Sequence, residues 1–278
     1  MRVGVVGHVE WIEFAVVDHV PVAGEIVHAT KSWEEPGGGG AVAALQLAKL
    51  AGACDFFAAV GNDEIGLRSV RELSSSGVEV FAETRTRATR KGVTLVDSSG
   101  ERTITTLGER LHPDGADALP WNRLTGAGAV FITAGDADAV RRAREARVVV
   151  ATSRVLDLIA ESGIRVEAIV GSGRDPLERY DPAKLSSPPD FVVMTDGRRG
   201  GTFESRSGEQ GTFPAAPLPR PVVDTYGAGD SFAGGLTWAL GAGYGIREAL
   251  DLAARCGAYA VTGRGVHAGQ LRSEDIGS

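Results

Sequence analysis

The segment from Val222 to Gly243, VVDTYGAGDSFAGGLTWALGAG, carries the residues best suited to chemistry. Gly227, Ala228 and Gly229 stand before a long stretch rich in Ala and Leu, and this order predicts a turn that opens a helix. The first N–H groups of a helix have no partner within it, and small side chains leave them open to an anion. The turn therefore predicts a site for a phosphate or a developing negative charge.

Asp230 falls in the first turn of the same predicted helix, where a carboxylate has two ordinary uses. It can cap the free N–H groups of the helix. It can instead accept a proton from a substrate group held at the turn. Spacing alone leaves both interpretations open.

The elements that must position this turn alternate between strands and helices. Short apolar runs predict strands at residues 2–9, 56–60, 129–133, 148–151, 168–170 and 191–194, with an edge strand and turn at 16–26. Helical patterns fall at 41–51, 66–75, 137–146 and 154–162. This rhythm predicts a parallel sheet covered by helices.

The stretch from residue 78 to residue 106 breaks the rhythm. Polar and β-branched residues alternate there on both sides of Ser98-Ser99-Gly100, which predicts a hairpin with one wet face. The parallel core is therefore expected to carry a small β insertion.

Composition excludes several classes of protein. The 278 residues hold 29 Lys and Arg against 36 Asp and Glu, a net charge of −7, which disfavours nucleic acid or an anionic membrane as a partner. No apolar run approaches the roughly 18 residues of a membrane span, and the N-terminal segment lacks a signal-peptide core. Cys54 and Cys256 stand far apart and suit buried free thiols. We expect a cytoplasmic protein with a small-molecule partner.

The sequence DTYGAGDSFAGG resembles the signature of the ribokinase-like (phosphofructokinase B, PfkB) family of small-molecule kinases. The blocks VPVAGEIV, PGGGGAVAA, VGNDEIG, VVMTDGRRGG and AYAVTGRGV match that family in order and spacing. The resemblance implies a ribokinase-like three-layer α/β core with a central, mainly parallel sheet. It also implies one kinase domain over residues 1–278 and a small β lid from segments near 10–35 and 78–107.

The resemblance implies that Asp230 removes a proton from a substrate hydroxyl as that hydroxyl attacks the γ-phosphate of ATP. The amides of Gly227, Ala228 and Gly229 would hold the transferring group. Phosphoryl transfer is mostly positioning and charge neutralisation, so a base and fixed donors suffice as protein groups.

The resemblance implies the nucleotide-binding residues in the same way, although each of them could instead have a purely structural role. These residues are Thr195, Gly197, Gly200, Thr225 and Ser172. Ser172 and Asp175 stand at the family's Asn-x-x-Glu motif, where Asp175 would help order Mg²⁺ or merely form a turn before Pro176. Thr225 and Asp224 would line the nucleotide or a monovalent cation such as K⁺, unless Thr225 simply ends a strand.

The acceptor side departs most from the family. The positions implied to bind the acceptor are His8, Glu10, Ile12, Gly38, Gly39 and Val42. Glu10 and Ile12 replace an Asn and an Asp, and Val42 replaces an Asn, so hydroxyl-binding side chains are missing. On a strand His8, Glu10 and Ile12 would share one face, which makes Glu10 the best polar contact unless it is a solvated strand-end carboxylate. The substrate is therefore expected to differ from ribose.

Residues of the lid also have two interpretations. Trp11 and Trp33 suit packing within the lid better than stacking on a ligand. Arg90, Lys91 and Arg102 on the hairpin can reach anionic groups or merely solvate one face. A homodimer through the lid is a further expectation.

No rival motif competes with this interpretation, since GxxxxGK[ST], GxGxxG after a strand and GxSxG are all missing. The sequence predicts a kinase that uses ATP and Mg²⁺ to phosphorylate a hydroxyl of a sugar, sugar derivative or nucleoside. The alternative is a non-catalytic binding or regulatory protein on the same fold. The intact Gly-Ala-Gly-Asp turn weighs against it, because a pure binder needs no aligned base.

Overall fold

The computed structural model describes residues 1–277, which form two sheets and six α-helices. The strands are β1 (Val3–Val6), β2 (Glu10–Val16), β3 (Lys31–Gly37), β4 (Cys54–Gly61), β5 (Val78–Arg85), β6 (Lys91–Val96), β7 (Arg102–Leu107), β8 (Ala129–Ile132), β9 (Val148–Thr152), β10 (Ala168–Ser172), β11 (Phe191–Thr195), β12 (Gly201–Ser205) and β13 (Gln210–Phe213). The helices are α1 (Gly39–Ala51), α2 (Glu64–Ser75), α3 (Ala137–Ala143), α4 (Leu156–Ser162), α5 (Ala228–Gly241) and α6 (Ile246–Ala260).

The central sheet has nine strands in the order β13-β12-β11-β10-β9-β8-β1-β4-β5. Every pairing from β11 to β5 is parallel, and β12 alone runs against the other strands, pairing antiparallel with both β11 and β13. Strands β1, β4 and β8 are buried along their whole length, which suits their continuous apolar sequences. The predicted mainly parallel α/β core is confirmed. Ligands of such sheets bind beyond the carboxyl ends of the strands, so the site is expected at that edge.

Helices cover both faces of the sheet. One hydrophobic core unites residues of α1, α2, α5 and α6 with β1 and β4, and a second core unites α3 and α4 with β8 and β9. Helix α1 ends at Gly52, whose left-handed φ of 88° suits a residue without a side chain. No helix in residues 1–277 is long and apolar enough to cross a membrane. Both cysteines are buried free thiols, as expected.

A separate four-stranded sheet, β3-β2-β6-β7, contains the segments expected to form the lid. The predicted edge strand at 16–26 is wrong beyond Val16, which ends β2, because the rest of that segment is a loop before β3. The predicted turn is present, with the N–H of Glu25 donating to the carbonyl of Val22 at 3.0 Å. The lid hairpin also begins later than expected, because β5 pairs in parallel with β4 and belongs to the central sheet. Only β6 and β7 form the hairpin, around the turn that contains Gly100.

Aromatic packing holds the lid against the core. The ring of Phe14 stacks on Trp33 at 4.7 Å and meets Tyr226 edge-on at 5.1 Å. Trp11 is fully buried, and its Nε1 donates to Glu34 at 2.9 Å. Both tryptophans therefore pack within the lid, as predicted. At the hairpin tip the carbonyl of Gly100 accepts the N–H of Thr225 at 3.1 Å, which joins the lid to the segment before α5.

Candidate active site

The turn before α5 has the form that the sequence predicts. Gly227 has a left-handed φ of 71°, and a β-carbon there would lie 2.8 Å from Cγ1 of Val42. Only glycine meets both constraints. The first helical bond closes from Ser231 N–H to the carbonyl of Gly227 at 2.8 Å, so the N–H groups of Ala228 and Gly229 lie ahead of it. A β-carbon on Gly229 would meet no atom within 4 Å, which leaves open space for a ligand there.

Asp230 lies in the first turn of α5, yet its side chain does not cap the helix. Its carboxylate makes no hydrogen bond with any residue that the structure describes, so the capping alternative is wrong. The group instead points toward the start of α1, where a β-carbon on Gly39 would lie 2.7 Å from its Oδ1. A carboxylate without a partner at an open helix N-terminus is available to accept a proton.

The surroundings of Asp230 tune its acidity. The side chain keeps some contact with solvent, but the surrounding protein desolvates it and raises its pKa to about 6. The negative charges of Glu178 and Glu10 act in the same direction, and the positive charges of Arg102 and Arg154 oppose them. A base whose pKa lies near the working pH combines an ionised form with useful basicity.

His8 and Glu10 form a polar wall beside Gly38. Strand β2 begins at Glu10, so His8 lies in the connection before it. The prediction that His8 shares one strand face with Glu10 and Ile12 is therefore wrong. The two side chains still meet, with His8 Nε2 3.8 Å from Glu10 Oε1, and Thr133 Oγ1 lies 3.2 Å from His8 Nδ1. Burial, and then the charges of nearby arginines, hold the pKa of His8 well below its usual value. Burial raises the pKa of Glu10.

Gly38 and Gly39 connect this wall to the turn before α5. Gly38 has a left-handed φ of 83°, and its N–H donates to the Tyr226 hydroxyl at 2.9 Å. A β-carbon on Gly38 would lie 3.2 Å from His8 Cδ2, and one on Gly39 would crowd Asp230. The structure thus brings His8, Glu10, Gly38, Gly39 and Asp230 together around one space.

Ile12 and Val42 do not line that space. Both side chains are fully buried, Ile12 against Gly37 and Gly92 and Val42 behind Gly227. The expectation that they contact the acceptor directly is therefore wrong, because neither exposes surface to a ligand. Their effect is to remove polar groups from the wall and, for Val42, to support the turn.

Thr195 and Ser172 lie side by side at the carboxyl ends of β11 and β10, where the sheet register pairs them. Thr195 Oγ1 donates to the carbonyl of Gly171 at 3.2 Å. Gly197 and Gly200 follow in a short turn with left-handed φ values of 56° and 82°. A β-carbon on Gly200 would lie 1.9 Å from the carbonyl of Phe213, so the turn admits no side chain there.

The residues proposed for cations are already engaged. Asp175 forms an ion pair with Arg154, and its Oδ1 accepts the N–H of Leu177 at 2.9 Å. The carboxylate of Asp224 accepts the N–H groups of Tyr226 at 2.8 Å and Gly265 at 3.0 Å. Within residues 1–277 no cluster of three His, Cys, Asp or Glu side chains is arranged to hold a metal. These carboxylates therefore do not form a ready cation site.

Three side chains of the site, Tyr226, Arg154 and Glu178, were missed from the sequence, whereas Arg102 was identified there as able to reach anionic groups. Tyr226 binds Gly38 from within the motif, while Arg102, Arg154 and Glu178 act on the charge of Asp230. Arg102 Nη1 lies 3.3 Å from Thr225 Oγ1, and Arg154 Nε lies 2.7 Å from Glu178 Oε1. Their places depend on how the lid and strand ends pack, and no local pattern reports that packing.

Comparison with known proteins identifies similar sequences over most of the chain. The profile of the pfkB family carbohydrate kinases matches residues 2–149 and 167–272. The aminoimidazole riboside kinase of Salmonella typhimurium is 30% identical over 273 residues, which cover 83% of each chain. The ATP-dependent ribose-1-phosphate kinase of Halopiger xanaduensis is 26% identical over 274 residues, covering 93% of this chain and 91% of that one.

Solved structures share the fold. A ribokinase from Thermotoga maritima aligns over 100% of this chain and 98% of its own with a TM-score of 0.77 and 20% identity. The Arabidopsis thaliana ribokinase complexed with ribose and ATP aligns over 99% and 97% with a TM-score of 0.77 and 19% identity. The ribokinase-like three-layer architecture expected from the sequence is thus confirmed.

Proposed function

The chain belongs to the pfkB family of carbohydrate kinases, and from that premise we propose that Asp230 is its catalytic base and the Gly227–Gly229 amides its anion hole. One observation carries the proposal. Asp230 holds a carboxylate without a hydrogen-bond partner, of raised pKa, beside the free N–H groups that open α5. The base and the donors for the transferring group thus lie within one helical turn.

The transfer follows from this arrangement. A hydroxyl of the acceptor gives its proton to the carboxylate of Asp230, and the hydroxyl oxygen forms a bond to the γ-phosphorus of ATP. The bond from that phosphorus to the oxygen bridging to the β-phosphate breaks, and ADP leaves with the electron pair. The N–H groups of Ala228 and Gly229 face the charge on the transferring oxygens, where fixed donors stabilise the transition state.

We assign the nucleotide to the loops beyond β10 and β11 and to the segment before α5. Ser172, Thr195, Gly197, Gly200 and Thr225 are the proposed contacts, supported by their shared place at the carboxyl edge of the sheet. We assign no part of the proposed transfer to Mg²⁺ or K⁺. The carboxylates that would hold them, Asp175 and Asp224, are engaged by Arg154 and by backbone N–H groups.

The acceptor is proposed to be a sugar, a sugar derivative or a nucleoside that lies between Asp230 and Glu10. Two relatives are named for a riboside and for ribose 1-phosphate, which favours a substituted pentose over the free sugar. The wall supports the same choice, because Glu10 is its one carboxylate and the buried Ile12 and Val42 add no polar group to it. We also propose that two copies of the chain contact each other through the lid, with the exposed strand β7 as the contact surface.

The experiment is an ADP-release screen with ATP over sugars, sugar phosphates and nucleosides. The wild type is compared with Asp230→Asn and with Asp251→Asn, an exposed aspartate on α6 that controls for the loss of one charge. We expect acceptor-dependent ADP release, a fall of at least about 10²-fold in kcat for Asp230→Asn, and no change for the control.

The melting temperature separates a catalytic role from a structural one. Folding raises the pKa of Asp230 from its ordinary value of 3.8 to about 6, so the stability of the folded state falls as the pH rises between these values, and the destabilisation is complete above about 6. Asp230→Asn should therefore keep or raise the melting temperature at pH 8. Near-normal turnover of that variant would contradict the assignment. Acceptor binding without ADP release by the wild type would favour the non-catalytic alternative.

A further inference from the structure

The acceptor side of the site carries arginines that the transfer itself does not use. Arg154 is ion-paired with Glu178 and Asp175, and Arg102 lies beside Thr225. The positive charges of these two guanidinium groups act on Asp230, where they partly oppose the rise in its pKa.

Arg90 lies beside Glu10. Its Nη1 lies 3.2 Å from Glu10 Oε1, and its Nη2 donates to Thr106 Oγ1 at 2.6 Å. The side chain is only 16% exposed, and its Nε is fully buried without an acceptor. The guanidinium of Arg90 is thus largely buried, and its Nε–H donates to no acceptor. This is unusual, because buried donors ordinarily have a hydrogen-bond partner.

Arg110 adds a second charge near Arg90. It lies three residues beyond β7, between Glu109, which pairs with Arg87, and the buried Leu111. Arg110 itself makes no hydrogen bond or ion pair with any residue in 1–277. The side chain is open to solvent, but surrounding protein and then the charge of Arg90 lower its pKa.

The charges that act most strongly differ between His8 and Asp230. Among charged residues, Arg110 acts most strongly on His8, ahead of Arg90 and Arg154, whereas Glu178, Arg102 and Arg154 act most strongly on Asp230. Arg110 therefore acts on the same part of the site as the ion pair in which Arg90 Nη1 lies 3.2 Å from Glu10 Oε1.

Charge is not balanced around Arg90 and Arg110. Arg90 and Arg110 carry two positive charges, and Glu10 is the negative group that acts on both. Two guanidinium groups that destabilise one another are stabilised by an anion placed between them, and arginine binds phosphate or carboxylate oxygens through pairs of N–H donors.

We propose that the acceptor substrate carries an anionic group, a phosphate or a carboxylate, at the end opposite its reacting hydroxyl, and that Arg110 and Arg90 bind this group. The inference rests on the proposed function, because it takes Asp230 as the point where the hydroxyl reacts. Arg110 is then the residue that selects the substrate, since it has no partner to leave when the anion binds.

The test uses two matched pairs of acceptors in steady-state kinetics with ATP. Ribose against ribose 1-phosphate examines a phosphate, and sorbitol against gluconate examines a carboxylate. The variants are Arg110→Gln and the control Arg87→Gln, which removes one charge from an exposed arginine that is paired with Glu109, the residue before Arg110.

We expect the anionic member of one pair to have a kcat/KM at least about 10²-fold above its neutral partner in the wild type, the pair that responds identifying the anion. Arg110→Gln should reduce that preference at least about 10-fold, chiefly through KM, and Arg87→Gln should leave it unchanged. Equal use of neutral and anionic acceptors by wild type and Arg110→Gln would overturn the inference while leaving the kinase assignment intact.

Calorimetry covers the case in which no tested acceptor is phosphorylated, an outcome that would count against the proposed function instead. Ribose 1-phosphate and gluconate are titrated into the wild type and into Arg110→Gln. Binding of either anion that weakens at least about 10-fold in the variant supports the inference. Absence of binding, or equal binding by both proteins, contradicts it.

Discussion

Gly39 and Asp230 approach so closely that a β-carbon on Gly39 would lie 2.7 Å from Oδ1 of Asp230. Gly39 is the first residue of α1, and Asp230 lies in the first turn of α5. The missing side chain at Gly39 therefore lets the carboxylate occupy the space between the first turns of α1 and α5.

Gly39→Ala is expected to disable the base while leaving the fold intact. Asp230 can rotate away from the added methyl group, but a displacement of about 1 Å from the reacting hydroxyl can cost about 10²-fold in rate. We expect kcat to fall at least 10-fold, with about the same melting temperature. Gly245→Ala, where a β-carbon meets no atom closer than 3.8 Å, is the control. Unchanged kcat in Gly39→Ala would show that this contact does not position the base.

Gly229→Val tests the anion hole. A β-carbon on Gly229 meets no atom of the protein and its φ is not left-handed, so the variant should fold without strain in the turn. The valine would instead occupy the open space over the helix N-terminus that we assign to phosphate. We expect ATP affinity, measured by calorimetry, to fall at least about 10-fold. Undiminished affinity in the folded variant would place the phosphates elsewhere.

Tyr226→Phe tests the link between the glycine-rich segment and the catalytic turn. The variant leaves the N–H of Gly38 without its buried acceptor, which costs about 1–3 kcal/mol. We expect a lower melting temperature together with a higher KM for the acceptor, because Gly38 lies against His8 and Glu10. A drop in melting temperature with an unchanged KM would confine Tyr226 to a structural role.

The pH dependence of kcat/KM should report Asp230. The base must be ionised, so activity is expected to fall as the pH drops through about 6, approaching tenfold per pH unit below it. Glu178 raises the pKa of Asp230, so Glu178→Gln should move this acid limb to lower pH. Glu161→Gln, on an exposed helix end, serves as the control. A limb that does not move with Glu178→Gln would assign the titration to another group.

Much of the architecture could be predicted because buried parallel strands and their helices have distinct apolar patterns. The turn at Gly227 could also be predicted from the sequence, because its glycines and Asp230 are adjacent in the chain. The lid strands were harder, because β5 alternates like a lid strand and only its parallel pairing with β4 places it in the central sheet. Strand patterns depend on neighbours more than on intrinsic preference.

The acceptor wall could be predicted only in part. Ile12 and Val42 stand at positions where the family carries polar side chains, yet the structure buries both completely. Arg110 shows the opposite case, an arginine in a segment without any motif whose charge reaches His8 and Glu10. Such charge interactions link residues about 100 positions apart, and a linear pattern does not record them.

Free ribose is expected to be a poor substrate, and this prediction bears on the whole acceptor wall. Two groups that would hydrogen-bond ring hydroxyls are replaced by apolar residues, and each lost charge-assisted bond is worth roughly 1.5–3 kcal/mol, so selectivity for ribose should fall by about 10²- to 10⁴-fold. Glu10 is the acid that remains on the wall, 3.8 Å from His8. Glu10→Gln should therefore raise KM for the true substrate with a smaller change in kcat, whereas Glu13→Gln, exposed on the same strand, should change neither. Phosphorylation of unmodified ribose with a kcat/KM above roughly 10⁴ M⁻¹s⁻¹ would contradict the prediction, because that efficiency belongs to enzymes acting on their own substrates.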